Sequence, residues 1–176
     1  MTQPMAYDMA QPMSNLRHFG IRRAVLVLPL VLLVGSAAGQ SKKSKYSCDE
    51  PNPQQLCNAG NTCGSPAMPC EVDVKRTNYA ASATPLIPGA KGNSLFCVRP
   101  GTTVSWKSAS KNTGFVVDPS ETSPFDPGGA IIGGSDKAVS VVAKTSGCYK
   151  LSVGACVSGA LNGMCANANT EIIITQ

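Results

Sequence analysis

The eight cysteines constrain this sequence more than any other feature, because all of them lie between residues 48 and 165. An even number of cysteines in an exported domain is typical of a disulfide framework, here of up to four bridges. The spacing alone does not decide which cysteines pair. Whether the cysteines form disulfides depends on whether the protein is exported to an oxidising compartment.

A short apolar segment near the start of the chain bears on that compartment. Arg17, Arg22 and Arg23 precede the run AVLVLPLVLLVG, which is followed by SAAGQ. A basic stretch, a short apolar stretch and small residues at a cleavage point are the three parts of a secretory signal peptide. We predict a signal peptide over residues 1–39, cleaved after Gly39, with Met13 as an alternative start. The mature protein is then secreted or periplasmic, and the lack of Asn-x-Ser/Thr sequons suits a bacterial envelope protein.

Two other interpretations of this segment stay open. A spanning helix needs about 20 apolar residues, whereas this run has 12, so we expect no membrane span after cleavage; retention as an uncleaved anchor is the alternative. The Arg22–Arg23 pair also resembles a twin-arginine signal. The strongly apolar run and the cysteine-rich remainder favour export of the unfolded chain followed by oxidation outside.

The 137 residues after Gly39 are enough for one domain. Residues 40–70 are predicted to form a linker and a cysteine-rich loop segment, since Pro, Asn and Gly abound and apolar residues are few. Their four cysteines are separated by 8, 5 and 6 residues, unlike the Cys-x2-Cys pairs of zinc sites. The exported part has 12 Lys and Arg against 9 Asp and Glu. These charges are dispersed, so nucleic acid is not an expected partner.

Residues 71–176 are predicted to form an all-β domain. Short runs of β-branched and aromatic residues alternate with Gly, Pro, Asn and Ser clusters, and no window shows a helical repeat of apolar positions. Seven such strands favour an antiparallel sandwich or barrel. The predicted strands are EVDVKR (71–76), SLFCV (94–98), TTVSWKS (102–108), GFVVD (114–118), AVSVVAK (138–144), CYKLSV (148–153) and EIIIT (171–175).

Three of these pieces carry a family resemblance. The run LFCVRPGTTVSWKS is similar to the strand–turn–strand entry of cupredoxins, the plastocyanin and azurin type of β-sandwich. GCYKLSV resembles the strand that leads to the second group of copper ligands in that family. The loop to Met164 and the last strand, EIIIT, complete the pattern. Over residues 71–176 the resemblance implies a disulfide-stapled, Greek-key antiparallel β-sandwich.

The resemblance also implies a copper centre, for which this sequence lacks the ligands. A blue-copper site uses two histidines, one thiolate and a weak axial ligand such as Met. The only histidine is His18, inside the predicted leader, and Gly114 or Phe115 stands at the first ligand position. Cys156 lies about three residues beyond the position implied for the copper cysteine. We therefore expect no type 1 copper and no cofactor; the alternative is an unusual Cu(I) site made by Cys156, Met164 and Cys165.

The cysteines have a structural interpretation that competes with metal binding. A Cys156–Cys165 disulfide would close the loop in place of a metal and contribute roughly 2–3 kcal/mol. In a cupredoxin-like sandwich the strands of Cys97 and Cys148 lie close together, so the resemblance implies a second bridge between them. The remaining four, Cys48, Cys57, Cys63 and Cys70, would then pair with one another.

Catalysis is not expected from this sequence. Without histidine the exported part lacks the usual general base for a Ser or Cys nucleophile. The acids of the connection VVDPSETSPFDPGGAIIGGSD are better explained as turn-forming or solvated groups than as catalysts. A Ca²⁺ site from Asp118, Glu121 and Asp126 is conceivable, but their spacing fits no known loop pattern. The acids concerned are Asp118, Glu121, Asp126 and Asp136.

Phe125, within the same connection, either packs into the core or is presented to a partner. We predict an exported, non-catalytic cupredoxin-like domain with a binding or structural role, its partner a protein or another envelope component. The alternative is a copper-handling or electron-transfer protein with a Cys/Met site.

Overall fold

The structure, a computed structural model, describes residues 46–135, 137–159 and 164–176. The chain divides into a unit Met1–Gln40 and a unit Ser41–Gln176, and the described residues belong to the second. The predicted signal peptide and the SKKSK part of the linker lie outside the described residues. Within the described part of the chain, no helix is long and apolar enough to cross a membrane.

The described residues form an all-β, sandwich-like fold of ten strands in two five-stranded sheets. The first sheet has the strand order β2-β1-β4-β8-β6, and the second has the order β3-β10-β9-β5-β7. Two short 3-10 turns, Ser47–Asp49 and Pro53–Leu56, precede the sheets. The strands are β1 Cys70–Thr77, β2 Ala80–Pro85, β3 Phe96–Val98, β4 Thr103–Lys107, β5 Thr113–Pro119, β6 Phe125–Asp126, β7 Ile131–Gly134, β8 Val139–Ala143, β9 Gly147–Val157 and β10 Cys165–Ile174.

Most neighbouring strands are antiparallel, but β1 pairs with β4 and β3 pairs with β10 in parallel. The expectation of a wholly antiparallel sandwich is therefore wrong for these two pairs. The chain leaves the first sheet after β2, forms β3 in the second sheet, and returns as β4 beside β1. Such a crossover between sheets brings the two strands together in the same direction, which a tight hairpin does not do.

The core lies between the two sheets and is built from alternating residues. Along β5, buried and exposed residues alternate without exception, as expected of a strand with one face toward a core. Trp106 of the first sheet is fully buried and packs edge-on against Phe96 of the second sheet and Phe125 of the first, with ring centroids 6.4 Å away in each case. These large rings contribute strongly to the apolar area that joins the sheets.

The end of β10 departs from alternation, because Ile172, Ile173 and Ile174 are all fully buried. A further segment of the chain covers the outer side of the sheet here. It comprises residues 46–69, which we call the strap, and it is hydrogen-bonded to this part of the second sheet. The Gln54 Nε2 donates to the Ile174 carbonyl at 3.2 Å. The Cys63 N–H donates to the Cys97 carbonyl, and the Cys97 N–H donates to the Asn61 carbonyl, both at 2.8 Å. The strap thus pairs with the open edge of β3, which would otherwise expose unpaired backbone groups.

Four disulfides connect all eight cysteines, and no described cysteine is free. Such a density of bridges indicates an oxidising compartment. The bridges are Cys48–Cys148, Cys57–Cys97, Cys63–Cys70 and Cys156–Cys165.

The pairing of Cys156 with Cys165 is the one that the sequence favoured, whereas the expected Cys97–Cys148 bridge is wrong. Cys97 and Cys148 both lie opposite Ile173, on either side of β10. Two strand spacings put their Cα atoms roughly 9.6 Å apart, beyond the limit of about 7 Å for a disulfide. Each bonds to a strap cysteine instead, so the expectation that the first four cysteines pair only among themselves is also wrong, except for Cys63–Cys70.

Candidate functional site

The end of the sandwich where β9 passes to β10 is the place where the cupredoxin resemblance puts a copper ion. The strand registers align Gly114 of β5 with Cys156 of β9, and Cys156 with Cys165 of β10. Three of the residues singled out from the sequence therefore lie in one row across three strands. Phe115, the other residue at the first ligand position, turns inward and is buried in the core.

These residues do not fit a type 1 copper ion. A cysteine ligates a metal as a thiolate, but the sulfurs of Cys156 and Cys165 are bonded to each other. The position opposite Cys156 is a glycine, and no histidine occurs in the described part of the chain. Met164 has 62% of its surface exposed, so it does not face an enclosed site. Among the described residues, no group of three or more His, Cys, Asp or Glu is placed to hold a metal ion.

The acids of the long connection are spread over different surfaces. Asp118 is exposed on β5 of the second sheet, opposite Ser152. Asp126 is on β6 of the first sheet, where its carboxylate lies 3.5 Å from the Lys144 Nζ. Such an exposed ion pair contributes little to stability. Glu121 lies in the loop between these strands, and Asp136 lies outside the described residues. Among the described residues, these acids belong to no group of three or more that could hold a metal ion.

Phe125 is a core residue, and its presentation to a partner is contradicted. It has 4% of its surface exposed and packs edge-on against Trp106. The pairing of Phe125 with Ala143 fixes its strand at the side of β8, with the ring turned toward the core. An aromatic side chain so placed has no area to offer to another molecule.

A cavity of about 430 Å³ lies where the loop after β5 meets the start of β9, lined by residues that include Glu121, Tyr149 and Lys150. The Tyr149 hydroxyl donates to the Thr145 carbonyl at 3.0 Å, and burial raises the pKa of Tyr149 above 10.0. The Lys150 Nζ pairs with the Asp49 carboxylate. That hydrogen bond raises the pKa of Lys150, although partial burial acts in the opposite direction. The lysine and the tyrosine of this cavity are thus engaged in holding the fold.

A second cavity, of about 470 Å³, lies at the opposite end of β5 and β9. Thr113 and Val157, which face each other one position beyond the Gly114–Cys156 pair, are part of its wall. We call it the basic end cavity because Lys75 and Arg76, at the end of β1, are the charged residues of its described lining. Ala109 and Ser110, from the loop after β4, complete the lining.

Sequence reasoning did not find the basic end cavity. The one available signal was the alternation in EVDVKR, which places Arg76 on the same face as Val72 and Val74. Both valines are fully buried, so a cation next in that series falls at the rim of the core. That signal does not reveal which other segments meet there.

Searches among protein-family models and among curated proteins found no match to this chain.

Proposed function

We propose that this chain is an exported, non-catalytic, cupredoxin-like β-sandwich whose copper loop is closed by a disulfide. It acts as a binding or structural module of the cell envelope or extracellular space. The observation that carries the proposal is the Cys156–Cys165 bond. It lies in one row with Gly114 and joins the end of β9 to the start of β10. Where a copper protein presents a thiolate and an imidazole, this chain presents a bonded sulfur and a glycine.

The location is supported by the bonding state of the cysteines. Four disulfides in one domain are stable outside the reducing cytosol and are rare inside it. The leader-like segment over residues 1–39 provides a route to that compartment. Together they favour a secreted or periplasmic protein.

The non-catalytic role is supported by the chemistry of the described side chains. Covalent catalysis by cysteine needs a free thiolate, and every described cysteine is in a disulfide. The carboxylates of Asp118 and Asp126 belong to different sheets. Lys150 and Tyr149, which line the cavity of about 430 Å³, are engaged with Asp49 and Thr145.

Mass spectrometry of the exported protein tests the proposal. The protein is alkylated before any reduction, digested and mapped, and its N-terminus is sequenced. We expect no alkylated cysteine, a peptide that links Cys156 to Cys165, and a chain that begins at Gln40. Free thiols at Cys156 and Cys165, or a retained leader, would contradict the proposal.

A Cu(I) titration with a competing chelator separates this proposal from a copper-handling role. We expect no tight, stoichiometric binding to the oxidised protein. Tight one-to-one binding that is lost in Cys156→Ser/Cys165→Ser and kept in the matched variant Cys63→Ser/Cys70→Ser would establish copper handling instead.

A further inference from the structure

The Cys156–Cys165 bridge differs from the other three disulfides in its access to solvent. Cys165 is the one exposed cysteine among the described residues, and Cys156 is half-buried. The bridge of most similar loop length, Cys63–Cys70, is instead closed off, because its two residues are only 2% and 0% exposed. A thiol that opens a disulfide must reach one of its sulfurs. Solvent access therefore favours attack on Cys156–Cys165.

Both flanks of this bridge leave room for an incoming molecule. Gly114 lies beside Cys156 in the row across the strands. A Cβ at Gly114 would meet nothing closer than the Gly133 carbonyl oxygen, at 3.9 Å. On the other flank, β10 pairs with β3 only at Ile172–Ile174, so within the described part of the chain no strand pairs with β10 beside Cys165. The bridge thus lies on an open part of the sheet surface.

The sheet holds the two cysteines side by side independently of their bond. Cys165 lies opposite Cys156 in the ladder of β9 and β10, and their Cα atoms are 4.0 Å apart. The Val157 N–H donates to the Met164 carbonyl at 2.7 Å, so backbone bonding continues on one side of the pair. On the other side the register runs along the rest of β10. Two thiols fixed next to each other in this way are placed for reoxidation.

The fold depends less on this bridge than on the two long ones. Its sequence separation is 9, compared with 100 for Cys48–Cys148 and 40 for Cys57–Cys97. A short loop restricts the unfolded chain less than a long loop does. The long bridges also attach the strap, whereas Cys156–Cys165 joins neighbouring strands of one hairpin. A folded domain with this one bridge open is therefore compatible with the remaining contacts.

We propose that Cys156–Cys165 is a thiol–disulfide exchange site, which an external dithiol reduces while the other three bridges stay closed. A thiolate of the donor attacks the sulfur of the exposed Cys165, forms a mixed disulfide with it and releases Cys156 as a thiolate, which takes up a proton. The second thiolate of the donor attacks the donor sulfur of the mixed disulfide and releases Cys165, which is protonated in turn.

The exchange is balanced by the donor. The cysteine pair gains two electrons and two protons, and the donor loses the same and ends with an internal disulfide. The reverse reaction closes the bridge again. This inference goes beyond the proposed function, in which the bridge closes the hairpin and takes part in no reaction.

Graded reduction of the oxidised, exported protein tests this inference. The protein is incubated in native buffer with a limited amount of dithiothreitol, samples are quenched with N-ethylmaleimide, and the open bridges are identified by peptide mapping. We expect Cys156–Cys165 to open at least about tenfold faster than Cys63–Cys70, because the two loops are similar in length and differ in burial. The NMR spectrum should stay dispersed while only the first bridge is open.

A second arm of the experiment identifies the size of the donor. Reduced thioredoxin, a protein dithiol, replaces dithiothreitol under the same conditions. Opening of Cys156–Cys165 by both donors would show that the open sheet surface admits a protein. Opening by dithiothreitol alone would assign the site to small dithiols.

Matched variants tie the fast step to this bridge. Cys156→Ala/Cys165→Ala should lose the fast step, and Cys63→Ala/Cys70→Ala should keep it. In Cys156→Ser, the remaining Cys165 thiol should react with iodoacetamide faster than the Cys156 thiol of Cys165→Ser, because only Cys165 is exposed. If a variant does not fold, the order of opening in the unsubstituted protein decides the question.

The inference is overturned if another bridge opens first, or if all four open in one cooperative step with loss of the fold. Either result leaves the proposed function standing, because the isolated protein would still contain the Cys156–Cys165 bond. Free thiols at these two cysteines in the isolated protein would instead contradict the proposed function. The order of opening is then measured after reoxidation, so the two proposals fail separately.

Discussion

Glu171 is the side chain that most directly joins the strap to the second sheet. It is 9% exposed, and its two carboxylate oxygens accept the backbone N–H groups of Ser47 and Cys48 at 2.9 Å each. A buried carboxylate is stable only when its oxygens are paired, and bonds to a charged acceptor are stronger than neutral ones. The Glu171 side chain thus provides acceptors for two backbone N–H groups of the strap, and these N–H groups in turn pair both of its carboxylate oxygens.

Glu171→Gln should lower the free energy of unfolding by roughly 1–3 kcal/mol, because an amide NH₂ replaces one acceptor and faces an N–H donor. Denaturant unfolding of the oxidised protein, followed by circular dichroism, measures the change. Glu121→Gln, at an exposed loop position, is the matched control and should leave stability unchanged. Equal stability of the two variants would show that the Glu171 contacts contribute nothing.

Tyr149 and Lys150 should make the folded protein less stable at alkaline pH. Burial raises the pKa of Tyr149 above 10.0, so the neutral phenol is favoured by folding. Its contribution is complete below the unfolded pKa and is lost as the pH rises through the folded value. The hydrogen bond that Lys150 donates to the Asp49 carboxylate raises the pKa of Lys150 above 10.5. Its effect on stability has the same sign, because folding favours the protonated amine.

Unfolding free energy should therefore decline above about pH 10. Tyr149→Phe removes one of the two titrating groups and should make the decline shallower, whatever its effect at neutral pH. Denaturant titrations at several pH values between about 8 and about 11 measure the slope. An unchanged slope in Tyr149→Phe would exclude Tyr149 as a source of the decline.

At the scale of elements, the four disulfides differ most in the length of chain that they enclose. The sequence separations are 100 for Cys48–Cys148, 40 for Cys57–Cys97, 9 for Cys156–Cys165 and 7 for Cys63–Cys70. In the chain-entropy description, a bridge restricts the unfolded chain more as its loop lengthens. The two long bridges attach the strap to β9 and β3, whereas Cys156–Cys165 closes a single hairpin.

Replacing Cys48 and Cys148 with alanine should therefore destabilise the protein more than replacing Cys156 and Cys165. The chain-entropy expectation is about 4–5 kcal/mol for the first pair and about 2–3 kcal/mol for the second. The remaining bridges shorten the effective 48–148 loop but leave it much longer than the 156–165 loop. Parallel denaturant unfolding of both double variants measures the order, and the reverse order would show that native-state packing outweighs loop length.

The strands that the sequence predicted are those whose own residues favour extended backbone and alternate in polarity. All seven predicted runs overlap strands of the structure, as Thr103–Lys107 and Thr113–Pro119 illustrate. The missed strand β2, AASATP, has weak β-propensity; it forms because the chain reverses at Asn78–Tyr79 and pairs with β1. The Asn93 side chain then bonds to the Ala83 N–H and the Ala81 carbonyl. Tertiary pairing here overrides local preference.

Strand β7, IIGG, was missed for a related reason. Two glycines argue against a strand, yet a Cβ at Gly133 would lie 2.5 Å from the Phe115 ring, so the glycine makes room for a core side chain. The same dependence on tertiary placement limited what the sequence predicts of the disulfides. The Cys156–Cys165 bridge was predictable because it joins consecutive cysteines across one hairpin. The Cys97–Cys148 bridge was predicted wrongly because β10 lies between these two cysteines, and local patterns do not encode that sheet order. The basic end cavity depends on the same order.

At the scale of the whole described domain, the four disulfides together contribute an energy comparable to the net stability. Domains of this size have a net stability of about 5–15 kcal/mol, and loss of a native bridge from a small secreted domain costs about 2–5 kcal/mol. Loss of all four bridges therefore approaches or exceeds the net stability. The strap also loses its covalent attachment, which would leave the outer face of Ile173 and the edge of β3 dependent on hydrogen bonds alone.

Complete reduction in native buffer should therefore unfold the domain. Near-UV circular dichroism of the buried Trp106 and ¹H–¹⁵N NMR dispersion report the loss of packing, and the same buffer without reductant is the control. Retention of dispersed resonances after quantitative thiol release would mean that the two sheets are stable on their own. In that case the disulfides would serve mainly to fix the strap. If the domain unfolds, the fully reduced chain has no folded row of thiolates at Cys156 and Cys165, and copper binding there by the native fold would require selective reduction of that one bridge while the other three stay oxidised.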